Sequence, residues 1–273
     1  MPFLDALVSR AEAADGVAPF DEATLMDLRA GRVTTLQHDG CVALVRGEEL
    51  SLLVDPPVRG RGLGGAMAEQ VLAEHPEVSR AWSHGNHPAA AALAARLGWR
   101  RVRDLWVMRL PGGAAGSVAP VDPPAGIVVR SWRPEDRDEL LRVNAAAFAS
   151  HPEQGAMDAD NLAARMSEPW FDPAGLIVAI SQDEGDDGRM LGFHWTKRHS
   201  AELGEVYVVA VDPAAQGRGL GKLLTRAGLA HLAEGGVRET ILYVEADNTA
   251  AVATYTGLGF THADADTHVM YAR

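Results

Sequence analysis

The second half of the chain alternates between two hydrophobic periods. In "PEDRDELLRVNAAAFA" (134–149) and "DADNLAARMSE" (158–168) apolar residues recur every three or four positions behind acid-rich starts. Pro134 suits a first turn, so both stretches predict helices. "GLIVAIS" (175–181), "MLGFHWTKR" (190–198) and "GEVYVVAV" (204–211) follow, rich in β-branched and aromatic residues and parted by turn formers, which predicts three successive strands. After Pro213 the loop "AAQGRG" opens a helix, "LGKLLTRAGLAHLAEG" (220–235), in which Leu220, Leu223, Leu224 and Leu232 form one apolar face before Gly235 and Gly236 stop it. "TILYVEA" (240–246) reads as a strand, "NTAAVATYTGL" (248–258) as a short helix capped by Asn248, and "THVMYAR" (267–273) as a closing strand. The class is α/β, of the α+β type: a mixed, mostly antiparallel sheet flanked by helices.

The pattern breaks at residues 111–126, "PGGAAGSVAPVDPPAG", where four Gly and four Pro leave neither a helical nor a strand period. This predicts a linker between a domain at 1–110 and another at 127–273, each of ordinary single-domain length. The halves are related. "LVDPPVRGRGLGGAM" (53–67) lies over "AVDPAAQGRGLGKLL" (210–224), and from Val54 against Val211 eight of eleven positions are identical. "LAARLGW" (93–99) then lies over "TYTGLGF" (254–260), so the repeat is domain-sized, a duplication and not a solenoid.

Composition narrows the class without changing it. Of 273 residues 47% are hydrophobic and 23% charged, which favours a globular chain over disorder. No apolar run approaches the ~18 residues of a membrane span. Asp5 and Arg10 interrupt any leader-like start, and Cys41 alone allows no internal disulfide, so a reducing cytoplasm is expected. A net charge of −12 argues against nucleic acid, which needs clustered cations, and leaves a small-molecule partner for a chain expected to be a monomer. His84 and His87 have the H-x-x-H spacing without the further ligands of a zinc site, so no metal is expected. Trp82, Trp99 and Trp106 are expected to pack the first domain's core.

The repeated loop carries the chemistry. Gly217, Gly219 and Gly221 lack side chains, so backbone N–H groups can crowd one concave point at the positive end of the next helix, a phosphate cradle. Arg218 and Lys222 can reinforce it, as can Arg59 and Arg61 in the first copy. A Walker A loop is excluded because Leu223 follows Lys222 and Gln216 stands where its first Gly belongs. The dinucleotide fingerprint fits Gly60, Gly62 and Gly65 but fails at Lys222 in the second copy. A glycine-lined turn that merely closes a strand–helix joint is the plain alternative, weakened by the loop's occurring twice with flanking arginine.

Gln216-Gly217-Arg218-Gly219-Leu220-Gly221, after a strand and opening a helix, resembles the pyrophosphate-binding signature of the GNAT superfamily of acetyl-CoA-dependent N-acetyltransferases. The resemblance implies two tandem GNAT domains and acetyl-CoA as co-substrate, one molecule in each domain at most. "HPEQG" (151–155), "LGFHWTK" (191–197) and "YVEADNTAAVATYTGLGF" (243–260) resemble, more narrowly, the actinobacterial family that acetylates cysteinyl-glucosaminyl-inositol in mycothiol synthesis. Ala156-Met157 stands where that family leads one to expect Gly-Trp. The resemblance carries cofactor contacts onto Val209, Ala210 and Val211, onto the loop from Gln216 through Gly217, Arg218, Gly219, Leu220 and Gly221 to Lys222, and onto Asn248, Thr249, Ala250, Ala251, Val252 and Ala253. In the first copy the matching positions are Leu52, Leu53 and Val54, then Gly60, Arg61, Gly62, Leu63, Gly64 and Gly65. It carries acceptor binding onto Glu22, Glu153, Lys197, Glu205 and Tyr243, the base onto Glu205 and the acid onto Tyr255.

The chemistry agrees with those roles on its own terms. An α-amine of pKa about 8 has one modest proton to lose, which a carboxylate takes directly or through water. A phenol near 10 can return a proton to a thiolate whose thiol is nearer 8.5. The plain readings are a solvated strand-end acid for Glu205 and a packed aromatic for Tyr255. Ala94 lies opposite Tyr255, whereas Glu48 lies opposite Glu205, so the first half lacks the acid and is expected to be non-catalytic. Besides acetylation of the cysteinyl amine, two readings stay open: acetylation of another small amine, and acetyl-CoA binding without turnover.

Overall fold

A computed structural model of the protein describes residues 2–112, 122–149, 152–186 and 188–273. Two compact units emerge. Unit 1 takes the chain to Val107 together with Val244–Asn248 and His262–Arg273, and unit 2 takes Met108–Tyr243 and Thr249–Thr261. The expected linker begins beyond unit 1, and its residues 113–121 lie outside the described residues. The final strand, expected in the second domain, is counted with the first.

Unit 1 runs α1 (Pro2–Asp15), α2 (Glu22–Arg29), β1 (Thr34–His38), β2 (Cys41–Arg46), β3 (Glu49–Val54), α3 (Leu63–Glu74), β4 (Arg80–Ser83), α4 (Pro88–Arg96) and β5 (Arg100–Pro111), the last continuing into unit 2. Strand β2 shows why it is layered. Cys41, Ala43 and Val45 point to a core with Met67, Val71 and Trp99, while Val42 and Leu44 point to another with Leu4, Leu7 and Phe20. A strand covered on both faces must be apolar at every position, as "CVALV" is. β1, β2 and β3 pair antiparallel, and β4 lies parallel to β3. On β4 lies β11 (Thr261–Ala272), antiparallel, with Val269 opposite Ser83 and Tyr271 opposite Ala81. Val269 and Tyr271 are buried in the unit's core.

Unit 2 contains β6 (Ile127–Ser131), α5 (Arg137–Ala147), α6 (Pro152–Gly155), α7 (Ala159–Met166), β7 (Leu176–Ser181), β8 (Met190–Arg198), β9 (Leu203–Val211), α8 (Leu220–Glu234), β10 (Glu239–Glu245, continuing into unit 1) and α9 (Thr249–Thr256). Its strands follow the order β10-β9-β8-β7-β6, with β10 parallel to β9 and the rest antiparallel. The alternation recurs in β7: Leu176, Val178 and Ile180 pack with Leu140, Val143 and Leu162 of α5 and α7, whereas Ile177 and Ala179 pack with Leu220, Leu223 and Leu224 of α8. Gly228 of α8 lies so close to the buried His194 ring that no side chain fits between them.

The expected helices and strands match unit 2 closely except for β6 and the short α6, and the expected closing strand lacks the first six residues of β11. "THADAD" has little strand preference, and its place in β11 follows from pairing, not propensity. Of the three tryptophans expected in the core, Trp99 is there, but Trp106 stacks on His262 with centroids 4.4 Å apart and Trp82 lies under the Arg103 guanidinium. His87 caps α4, its Nδ1 accepting from the Ala89 N–H at 3.1 Å.

Candidate active site

Strand β9 is irregular where the site forms. Its pairing with β8 sets Trp195 against Val208 and Thr196 against Val206, so Tyr207 is an extra residue in a β-bulge. The bulge turns both Tyr207 and Val208 toward the α5–α7 face, where Val208 is in the core and Tyr207 packs against it. On its other edge β9 pairs with β10 only from Leu203 against Glu239 to Val206 against Leu242, although β9 runs on to Val211. Past Val206 that edge has no strand partner among the described residues. The backbone groups of Val209, Ala210 and Val211 that face away from β8 are therefore open to an extended chain that adds as a strand, as the pantetheine arm of a coenzyme can.

Glu205 precedes the bulge and is not the solvated acid of the plain reading. It is 5% exposed, stands opposite Lys197 on β8 and Ile241 on β10, and its Oε2 lies 2.6 Å from Nε2 of His199. Lys197, also buried, sets Nζ 4.7 Å from the Trp170 ring centre and 5.2 Å from that of Tyr207. Arg165 donates to the Tyr207 hydroxyl at 3.1 Å, and Tyr207 meets Trp170 and Trp195 edge-on. The result is a cation held over two adjoining aromatic rings beside a buried carboxylate. Tyr243, two residues past Ile241 on β10 and so on the same face as Glu205, is 41% exposed. Tyr255 on α9 meets Phe260 edge-on at 5.9 Å, and burial pushes its phenol up to about 12, so it keeps its proton at neutral pH.

The glycine loops match in backbone detail. Asp55 and Asp212 have φ/ψ of −57/126° and −51/126°, and Arg59 and Gln216 have −62/159° and −62/161°. Gly62 and Gly219 cap their helices with φ of 83° and 74°, the left-handed region that favours glycine. Neither cap has a side chain to satisfy the first-turn N–H groups, which stay available to an anion. Asp212 anchors the second loop, accepting from Arg142 at 2.6 Å, Arg189 at 3.0 Å and the Ala214 amide at 2.9 Å. Burial works to raise its carboxyl, but the Arg142, Ala214 and Arg189 hydrogen bonds outweigh it and hold it at about 2. Asp55 anchors the first loop, accepting from Arg10 at 2.7 and 3.0 Å with the Arg59 charge nearby. Arg59 differs from the expectation of a phosphate ligand: its guanidinium is clamped on Asp15 at 2.6 and 2.7 Å and on the Val54 carbonyl at 3.0 Å.

In unit 1 a cavity of about 500 Å³ lies against the first loop. Leu52, Leu53, Val54, Gly60, Gly62, Leu63, Gly64 and Gly65 line it, which leaves Arg61 as the predicted contact of that copy that does not. Here too β3 and β4 pair only through Leu50 and Ala81 before β3 runs on. Glu22 belongs to this unit, as the first residue of α2 behind the Asp21 cap. Asn248 falls in the short Val244–Asn248 segment grouped with unit 1, while Thr249 begins α9 in unit 2. Glu153 is on α6, with its side chain outside the described residues. Sequence reasoning missed His199, Trp170 and Tyr207; the "FHWTKRH" run beside an aromatic-bearing strand was the available signal.

Residues 139–260 match the acetyltransferase (GNAT) family. The fold agrees: a GCN5-related N-acetyltransferase from Sphaerobacter thermophilus superposes with a TM-score of 0.68 at 22% identity, covering 99% of this chain and 91% of that one. A tandem GNAT protein from the clavulanic acid biosynthesis pathway gives 0.66 at 19% identity, covering 85% and 78%. Fold and match thus define an acetyltransferase built from GNAT modules. Mycothiol acetyltransferases of Nocardioides sp. and Nocardia farcinica are 56% and 50% identical, over 96% and 97% of this chain and 94% and 91% of theirs. The chain belongs to the mycothiol acetyltransferase family. No helix among the described residues is long and apolar enough to cross a membrane, and none of their His, Cys, Asp and Glu side chains form a metal-binding group.

Proposed function

We propose that this protein transfers the acetyl group of acetyl-CoA to the cysteinyl amine of cysteinyl-glucosaminyl-inositol, the last step of mycothiol synthesis. The observation that carries this is a buried carboxylate, Glu205, on a strand whose free edge begins two residues later, with a protonated phenol on the helix after the neighbouring strand. The second glycine loop holds the coenzyme diphosphate, and the backbone of Val209–Val211 pairs with its pantetheine arm. Glu205 takes the proton of the attacking amine while the new C–N bond forms. A backbone N–H on the same edge supports the charge on the acetyl oxygen. As the C–S bond breaks, Tyr255 gives its proton to the departing sulfur, leaving an amide and free coenzyme A. Within unit 2, Lys197 and Tyr243 hold the acceptor's hydroxyl and carbonyl groups. The first unit holds a second acetyl-CoA without turning it over. The test is thiol release from acetyl-CoA with the cysteinyl pseudodisaccharide and, in parallel, polyamines. Turnover confined to polyamines would point to another small amine. Binding of acetyl-CoA with no thiol release from any amine would favour the non-catalytic reading.

A further inference from the structure

We infer that His199 is a positioning residue for Glu205, aiming the carboxylate and supplying its hydrogen-bond donor while the acceptor amine is bound; this rests on the role proposed for Glu205. The imidazole Nε2 and carboxylate Oε2 are 2.6 Å apart, a separation that requires one proton between them. With Glu205 ionised, Nε2–H is the donor. Oε2 is then occupied, and an incoming amine delivers its proton to Oε1. The two side chains differ in access: that of Glu205 is 7% exposed and that of His199 33%, so the imidazole links the buried acid to water.

The turn that carries His199 is built to hold it. The His199 N–H donates to the Leu203 carbonyl at 2.9 Å, and the Ser200 hydroxyl accepts from the amides of Glu202 and Leu203 at 3.1 and 3.0 Å. Register places Lys197, Glu239 and Tyr243 on the same face as Glu205, with Arg165 and Tyr207 beyond. The Lys197 ammonium lies over the Trp170 and Tyr207 rings, Arg165 donates to Tyr207, and Glu239 pairs with Arg109 at 3.3 Å. His199 is a donor placed directly on the Glu205 carboxylate. A buried carboxylate stripped of a donor takes up its proton more readily.

The test is the pH dependence of kcat for full-length wild type, His199→Ala, His199→Gln and His199→Asn, with Glu205→Gln as reference and a thermal melt of each. Loss of the donor is expected to move the acidic limb of kcat upward by about one pH unit, so that the rate falls up to about tenfold on that limb and little on the plateau at higher pH. His199→Asn, too short to reach Oε2, behaves like His199→Ala. His199→Gln restores most of the wild-type profile because its amide N–H can reach. An unmoved limb in both His199→Ala and His199→Asn overturns the inference, as does an equal loss at every pH with a lowered melting temperature, the mark of a residue that only supports the turn. If Glu205→Gln keeps wild-type turnover, the base assignment itself fails, and the inference fails with it. An inactive Glu205→Gln beside an unmoved His199→Ala limb refutes the His199 role alone.

Discussion

The two glycine loops superpose angle for angle, yet the residues around them differ. In unit 2 the acid before the loop is buried inside β9 and bonded to His199. In unit 1 the aligned acid, Glu48, is exposed ahead of β3 and accepts from the Ser79 hydroxyl at 3.0 Å. The buried acid there is its neighbour Glu49, paired with Arg46 at 3.2 Å. Opposite the half-buried Tyr255 stands Ala94, packed in the core of unit 1. Glu48 thus does not share the burial of Glu205, while its neighbour Glu49 does. A phosphate cradle made of backbone amides needs only glycine and a helix start, so side-chain changes leave it intact. Under the roles proposed for Glu205 and Tyr255, acetyl transfer needs particular side chains at particular depths, and the first unit differs at both positions.

The sharpest test of that difference is catalytic. Glu205→Gln and Tyr255→Phe are each expected to lower kcat by about 10²–10⁴-fold, the usual worth of a positioned acid or base, while Glu48→Gln leaves turnover unchanged. Comparable losses from Glu48→Gln and Glu205→Gln would erase the distinction between the units.

Next come the loop anchors. Because the Asp212 carboxyl is depressed when folded, its contribution is complete above its ordinary value near 4 and disappears as pH falls toward about 2. Asp212→Asn should therefore cost about 2 kcal/mol in urea melts at neutral pH, and less in acid. Asp55→Asn, whose partner Arg10 is open to solvent, should cost less at either pH. Equal losses would show that the two anchors do the same work.

The caps discriminate between the two sites. Gly219→Val forces a β-branched residue to positive φ, at a strain of about 1–2 kcal/mol, and should raise KM for acetyl-CoA about tenfold. Gly62→Val should leave KM alone and weaken by about tenfold the acetyl-CoA binding that calorimetry assigns to the first cavity. A stoichiometry of one in the wild type would show that the first cavity does not take acetyl-CoA. The smallest effect lies at high pH. With its phenol at about 12, Tyr255 should sustain kcat to about pH 10, where a tyrosine at its ordinary value would already be half ionised. A basic limb well below pH 10 that vanishes in Tyr255→Phe would contradict the burial of that phenol.

Much of this was legible in the sequence, and the limits are physical. Strands β7 to β9 and helix α8 declare themselves through local period, and the loops through glycines whose positive φ few other residues accept. What escaped reading depends on distant partners. Asp212 meets arginines from α5 and from the turn just ahead of β8, and neither pairing leaves a trace in the spacing of either residue. His199 lies in "KRHSAELG", a stretch that reads as a polar turn, and only the closed hairpin brings its ring back onto Glu205. Lys197 was placed by family resemblance; that it lies over two aromatic rings became visible only when the β9 bulge turned Tyr207 toward Trp170. Thr261–Asp266 is strand because β11 is paired, against its own composition.

The return of β11 to β4 also bears on how the chain is made. Val269 and Tyr271 fill a core whose other members leave the ribosome far earlier, so the first unit waits with an open seam beside β4 until nearly everything else has been translated. A gene fragment ending near Val107 should accordingly yield aggregated product, and supplying residues 262–273 as a separate peptide should rescue its solubility.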